Sequence, residues 1–95
     1  MPAYLISEIE VHDAIGYEEY RKLVGASLDR YGGKFIARGG RIDVLEGEWN
    51  PKRIVICVFD SLARAREWYE SEEYRIPMGI RKRTSDANII LVEGV

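Results

Sequence analysis

Glu8, Glu10 and His12 stand two residues apart in an alternating stretch, and His12 is the only histidine of the chain. Alternation sets the three in a row on one strand face, roughly 7 Å between successive members. Two carboxylates and an imidazole so placed can move protons or hold a hard cation, provided the face is enclosed. The other reading is a strand running out into solvent with its carboxylates paired to arginines. Arg38 precedes Gly39-Gly40, whose missing side chains leave room beside a guanidinium that can grip a carboxylate or phosphate. It can equally neutralise Glu8 or Glu10 across a sheet. Arg53 and Arg81 are the other isolated arginine candidates. Trp68, Tyr69 and Tyr74, with Trp49 in an earlier turn, offer flat apolar area with polar tips. Such rings line small-molecule pockets, and at helical spacing they also build cores.

Other chemistries are excluded. Cys57 sits between Ile56 and Val58 in the most apolar segment, where a free cysteine behaves as a small hydrophobe with no base to form a thiolate. One Cys rules out an intrachain disulfide, and one Cys with one His rules out a Cys/His zinc site, so no metal and no cofactor is expected. Gly39-Gly40 lacks the Lys-Ser/Thr ending and the following helix of a phosphate loop. Fourteen basic against 16 acidic side chains give a net charge of −2, which speaks against nucleic acid as a partner. The short run Arg81-Lys82-Arg83 then reads as a solvated face. The longest apolar run, Ile54 to Phe59, is far too short to span a bilayer, so no membrane partner is expected. The N-terminus carries no basic region followed by an apolar stretch, and a reduced cytoplasmic setting is the expectation.

The elements that must position these residues follow from periodicity. At 46% apolar and 32% charged, 95 residues form an ordinary globular mixture and one domain, residues 1–95. Residues 3–11 alternate Leu5, Ser7, Ile9 and Val11 against Tyr4, Ile6, Glu8 and Glu10, a strand. Asp13 caps a helix whose stripe is Tyr17, Tyr20, Val24, Leu28 and Tyr31, stopped by Gly32-Gly33. A second strand starts near Lys34, is interrupted by a bulge at Gly39-Gly40 and resumes through Val44. After a turn over 46–52, a third strand runs from Arg53 to Phe59. Asp60 or Ser61 caps a helix with Leu62, Ala65, Trp68 and Tyr69 inward. Residues 71–84 form a further helical stretch, broken near Pro77 and Gly79. A last strand covers Ala87 to Glu93. The order βαββαβ predicts an α+β split-βαβ sandwich, with a four-stranded antiparallel sheet and helices on one face.

Helices on one face leave the other wet, which calls for clean alternation. The runs Ile54–Phe59 and Ile89–Val92 do not alternate. Both faces of those strands need cover, and a second copy of the chain can supply it, so a homodimer is expected.

Particular residues at particular places carry a resemblance over nearly the whole chain. They include Pro2-Ala3-Tyr4, Tyr31-Gly32-Gly33, Arg38-Gly39-Gly40, Val44-Leu45-Glu46-Gly47 with Trp49, and Phe59-Asp60-Ser61. Further on stand Trp68-Tyr69, Glu73-Tyr74, Arg81 and Val92-Glu93-Gly94. In order and spacing they resemble the domain-of-unknown-function 1330 family of the dimeric α/β-barrel superfamily. The resemblance implies a ferredoxin-like protomer whose sheet joins a second sheet in a two-fold barrel. It implies no activity, although related barrels include cofactor-free monooxygenases, haem-degrading enzymes and lactone isomerases. In oxygenase-like relatives an aromatic-lined cavity lies between sheet and helices; the matching positions are Trp68 with Tyr20 or Tyr74. A His that often precedes the glycine pair in the family is Tyr31 here, so a base at that turn is missing. Haem degradation fits poorly, because His12 precedes a helix rather than lying on one.

The expectation is therefore a dimer that binds a small organic acid or aromatic metabolite at Arg38, Trp68, Tyr74, His12 and Arg81. Its catalytic form is a cofactor-independent oxygenase or isomerase with unassigned catalytic residues. The alternative is a non-catalytic dimeric module that buffers a ligand or docks a protein, since no His/Asp/Ser set or reactive Cys is present. Nucleic-acid binding through the sheet would need stacking aromatics on a basic surface, and this sequence puts acids there.

Overall fold

The first strand, β1 (Ala3–Val11), alternates as its sequence does: Ala3, Leu5, Ser7 and Ile9 are buried while Tyr4, Ile6 and Glu8 lie half-buried on the opposite face. In this computed structural model, which describes residues 1–95, it is followed by α1 (Ala14–Arg30), β2 (Lys34–Arg38) and β3 (Ile54–Phe59). Then come α2 (Leu62–Tyr69), α3 (Glu72–Thr84) and β4 (Ser85–Glu93). Each helix begins on a side-chain cap. Asp13 Oδ1 accepts from the Gly16 N–H at 3.0 Å, Ser61 Oγ from Arg64 at 3.1 Å and Ser71 Oγ from Tyr74 at 3.2 Å. At the end of α1, Gly32 takes φ +72° and the Gly33 N–H returns to the Leu28 carbonyl.

The strands form one antiparallel sheet in the order β2-β3-β1-β4. The core lies on one face only, where Leu5, Ile9, Val55, Cys57 and Phe59 meet Tyr17, Tyr20, Val24, Leu28, Trp68 and Tyr74 from the helices. This is the α+β ferredoxin-like arrangement. No helix is long and apolar enough to cross a membrane. The opposite face carries two cross-strand rows, Val58–Tyr4–Val92 and Ile56–Ile6–Ile90, with Ile90 56% exposed in the single chain.

The second strand differs from its expectation. It stops at Arg38 and does not resume through Val44. Gly39, at φ +71°, donates its N–H to the Ile54 carbonyl at 2.9 Å and closes the ladder, and residues 39–53 form no regular element. The bulge is not at Gly39-Gly40 but earlier, between Phe35 and Ala37. Phe35 pairs with inward Cys57, whereas Arg38 pairs with inward Val55, so the extra residue, Ile36, returns Arg38 to the core face. The last helix is likewise unbroken at Pro77 and Gly79. Pro77 removes only the hydrogen bond to the Glu73 carbonyl, close to the helix start, and its ring is buried. The last strand begins at Ser85, directly from α3, rather than at Ala87.

Candidate functional site

Between the core face of the sheet and the helices lies a cavity of about 20 Å³, enough for one water-sized occupant. Ser7 and Cys57 belong to its sheet side, Tyr17 and Tyr20 come from α1, and Trp68 and Tyr74 from α2 and α3. The stripe that makes α1 amphipathic therefore also aims two phenols inward. Trp68 and Tyr74 pack against each other with ring centroids 4.0 Å apart and planes inclined by 36°. The Trp68 indole N–H donates to Ser27 Oγ at 2.9 Å, and that hydroxyl donates to the Val24 carbonyl at 2.7 Å. The rings are thus fixed by packing and by hydrogen bonds at once.

A polar chain crosses the aromatic cluster. Arg81 Nε donates to Tyr74 Oη at 3.2 Å, and Tyr74 Oη lies 2.9 Å from Tyr20 Oη. Burial pushes the Tyr20 phenol far above its usual range, and the neighbouring Tyr74 adds to the effect. Burial also raises Tyr74, against the pull of Arg81. Both remain neutral hydroxyls. Burial disfavours the Arg81 charge as well, but the Tyr74 and Tyr20 oxygens outweigh it and Arg81 stays a cation. Burial pushes the Cys57 thiol up to about 11, only partly opposed by Arg38, so it is no nucleophile near neutrality.

Arg38, Trp68 and Tyr74 are brought together around this cavity. Arg38 is an exposed part of its wall, with its guanidinium 4.1 Å from the Phe35 ring centroid and Nη2 donating to the Arg21 carbonyl of α1 at 3.1 Å. It makes no pair with Glu8 or Glu10, because the bulge puts it on the other face of the sheet. Arg81 does not line the cavity but reaches it through Tyr74, and it is buried rather than part of a solvated basic face. His12 is not part of the site. Its side chain is exposed beyond the end of β1, and only its backbone N–H is engaged, by the Thr84 carbonyl. Glu8 and Glu10 line an open polar groove with Asn50, Lys52, Asp86 and Asn88, which His12 does not join. Glu8 accepts from Trp49 Nε1 at 2.8 Å and from Asn88 Nδ2 at 3.3 Å on the outer face. Trp49 accordingly leaves the aromatic cluster.

Arg53 lines the cavity as well. Its sequence signal is parity: Arg53, Val55, Cys57 and Phe59 alternate, and the last three are buried.

The family described as "Domain of unknown function (DUF1330)" matches residues 2–95. The chain belongs to the DUF1330 family. Solved structures similar to this DUF1330 chain include a protein of unknown function from Rhodopseudomonas palustris, at 19% identity and a TM-score of 0.79 over 99% of this chain and 82% of the other. SnoaB, a cofactor-independent oxygenase from Streptomyces nogalater, is similar at 14% identity and a TM-score of 0.70, over 99% and 93%. A dimeric ferredoxin-like protein of unknown function from Jannaschia sp. CCS1 is similar at 12% identity and a TM-score of 0.79, over 99% and 100%. At these identities the likeness is one of fold. No functionally curated protein is significantly similar to the chain in sequence.

Proposed function

We propose that this DUF1330 chain is a homodimer that binds a small organic acid or aromatic metabolite between sheet and helices of each protomer. One observation carries the reading: an aromatic-walled cavity is lined by Arg38, which has no carboxylate partner. The space is smaller than any metabolite, so its wall must open on binding, and exposed Arg38, held by the Arg21 carbonyl and the Phe35 ring, is the side chain we expect to swing away. That motion gives up one exposed hydrogen bond and one exposed cation–π contact, about 1–2 kcal/mol. Dimerisation through the outer face is supported by its two apolar rows and by the dimeric relative. A cytoplasmic setting fits the free Cys57, and the acidic balance argues against nucleic acid.

Cofactor-independent oxygenation or isomerisation is the catalytic form of this proposal, and the likeness to SnoaB favours it over other chemistries. The second reading is a non-catalytic dimeric module that buffers a ligand or docks a protein. The small closed volume, the remote His12 and the protonated Cys57 favour it, because no base stands at the cavity.

The test is thermal melting of the wild type and Arg38→Ala against a panel of small acids and aromatic metabolites. A ligand at about 100 times its dissociation constant adds roughly 2.7 kcal/mol, several degrees in a domain of this size. A stabilising ligand whose effect disappears in folded Arg38→Ala is the expected result. No stabilisation by any compound, with Arg38→Ala strongly destabilised, would place Arg38 in the framework and leave the docking module.

A further inference from the structure

We infer that Arg53 is a second anion contact beside Arg38, and that the ligand is a carboxylate with a flat apolar body; this rests on the binding reading above. The wall of the cavity is the first reason. It contains Arg21, Arg38 and Arg53 and no Asp or Glu, in a chain with more acidic than basic residues. Arg21 is neutralised by Glu18 at 3.5 Å. Arg38 and Arg53 make no ion pair.

Arg53 itself supplies the second reason. Its Nε is sealed from water and has no hydrogen-bond partner. Its backbone carbonyl is used, by the Ile9 N–H at 2.9 Å, so the strand ladder fixes where the side chain starts. The charge lies near the Tyr17 ring, 5.9 Å from Cζ to the centroid, at the limit of a cation–π contact. A guanidinium with one nitrogen dehydrated and no anion is unfavourable for a structural side chain. It suits a group whose partner arrives from outside.

Two backbone departures provide the third reason, since each serves an arginine. The bulge at Ile36 turns Arg38 to the cavity face. Gly39 stands at φ +71°, and a Cβ there would overlap the Arg53 guanidinium. One carboxylate has two oxygens and can accept from both forks. Beyond the arginines the wall is mostly apolar and includes the rings of Tyr17, Phe35, Trp68 and Tyr74, which suits a flat apolar body more than a second charge.

Benzoate and its neutral isostere benzamide test this on the full chain, with binding followed by calorimetry and by thermal melting. The wild type should bind benzoate about tenfold or more tightly than benzamide. Arg53→Met should reduce that preference, since Arg38 remains, and should melt without ligand no lower than the wild type. Should Arg53→Met fail to fold, Arg53→Lys keeps the charge without the fork and should show a reduced preference for benzoate. Equal binding of benzoate and benzamide by the wild type would overturn the inference while leaving the small-molecule site standing. Binding of neither would overturn both. An unchanged benzoate preference in whichever variant folds would also overturn the inference, making Arg53 structural.

Discussion

Replacing Tyr74 with phenylalanine removes a single oxygen from the middle of the Arg81–Tyr74–Tyr20 chain and leaves everything else in place. The ring is 1% exposed, and its packing on Trp68 at 4.0 Å and on Tyr69 at 5.8 Å does not depend on the hydroxyl. Two buried polar groups lose their partner, Tyr20 Oη and Arg81 Nε. An orphaned buried group costs about 1–3 kcal/mol, so Tyr74→Phe should cost roughly 3 kcal/mol. Tyr20→Phe is the milder change, because Tyr74 still receives the Arg81 N–H; about 1 kcal/mol is expected. In the double variant the orphaned Tyr20 hydroxyl no longer exists, so the total should fall short of the sum by about 1 kcal/mol. For a domain of this length 1 kcal/mol is about 4–8 °C, which puts Tyr74→Phe roughly 12–24 °C below the wild type. The assay is thermal and urea unfolding at one fixed protomer concentration, since dimerisation makes the midpoint depend on it. A Tyr74→Phe midpoint within a few degrees of Tyr20→Phe, or strict additivity in the double variant, would refute the chain as a coupled unit.

The buried thiol and phenols also fix the alkaline limb of stability. The unfolded chain releases its Cys57 proton near pH 9.0 and its Tyr20 and Tyr74 protons near 10.0, while the folded chain holds Cys57 to about 11 and both phenols above their ordinary value. The unfolded state thus binds fewer protons, so stability is complete below pH 9 and falls above it, by about 1.4 kcal/mol per pH unit per group. Urea midpoints from pH 8 to 11 should show this, and Cys57→Ala should flatten the part between 9 and 11; an equal slope in both proteins would exclude Cys57 as a source. On the outer face, Ile6→Glu puts a charge between Ile56 and Ile90. Sedimentation equilibrium at micromolar protein should give two protomers for the wild type and one for the variant, and a monomeric wild type would end the dimer proposal.

Much of the fold was legible because its signals are local and repeated. Leu5, Ser7 and Ile9 alternate, Tyr17, Tyr20, Val24 and Leu28 recur at helical spacing, and Asp13 and Ser61 stand where caps are needed. The unbroken runs in β3 and β4 also marked an outer face rich in isoleucine and valine. What failed rested on single residues. Pro77 reads as a helix breaker, yet close to a helix start it forfeits one hydrogen bond, and its ring gains burial. Glu8 and Glu10 do stand on β1, but His12 falls just past its end, and chemistry needs an enclosed face. Leu5 and Ile9 claim the helices for the other side.

The site was legible in its residue types and hidden in its geometry, for a reason that can be located. Phe35 and Arg38 are three apart, so a regular strand would put them on opposite faces and let Arg38 meet Glu8 or Glu10. A bulge one residue long reverses that parity, and neither glycine nor proline marks it at Ile36. The glycines that drew attention, Gly39-Gly40, serve something else: Gly39 ends the ladder in a conformation that favours glycine and leaves its side-chain space to Arg53. Arg53 in turn looks like the polar edge of an apolar strand until Val55, Cys57 and Phe59 fix its parity as inward. Arg38 at the end of β2 and Arg53 just before β3 therefore reach one cavity by two unrelated backbone devices. Had only packing been at stake, a regular β2 and an apolar residue at 53 would have filled the same space without leaving a guanidinium nitrogen dry and unpaired.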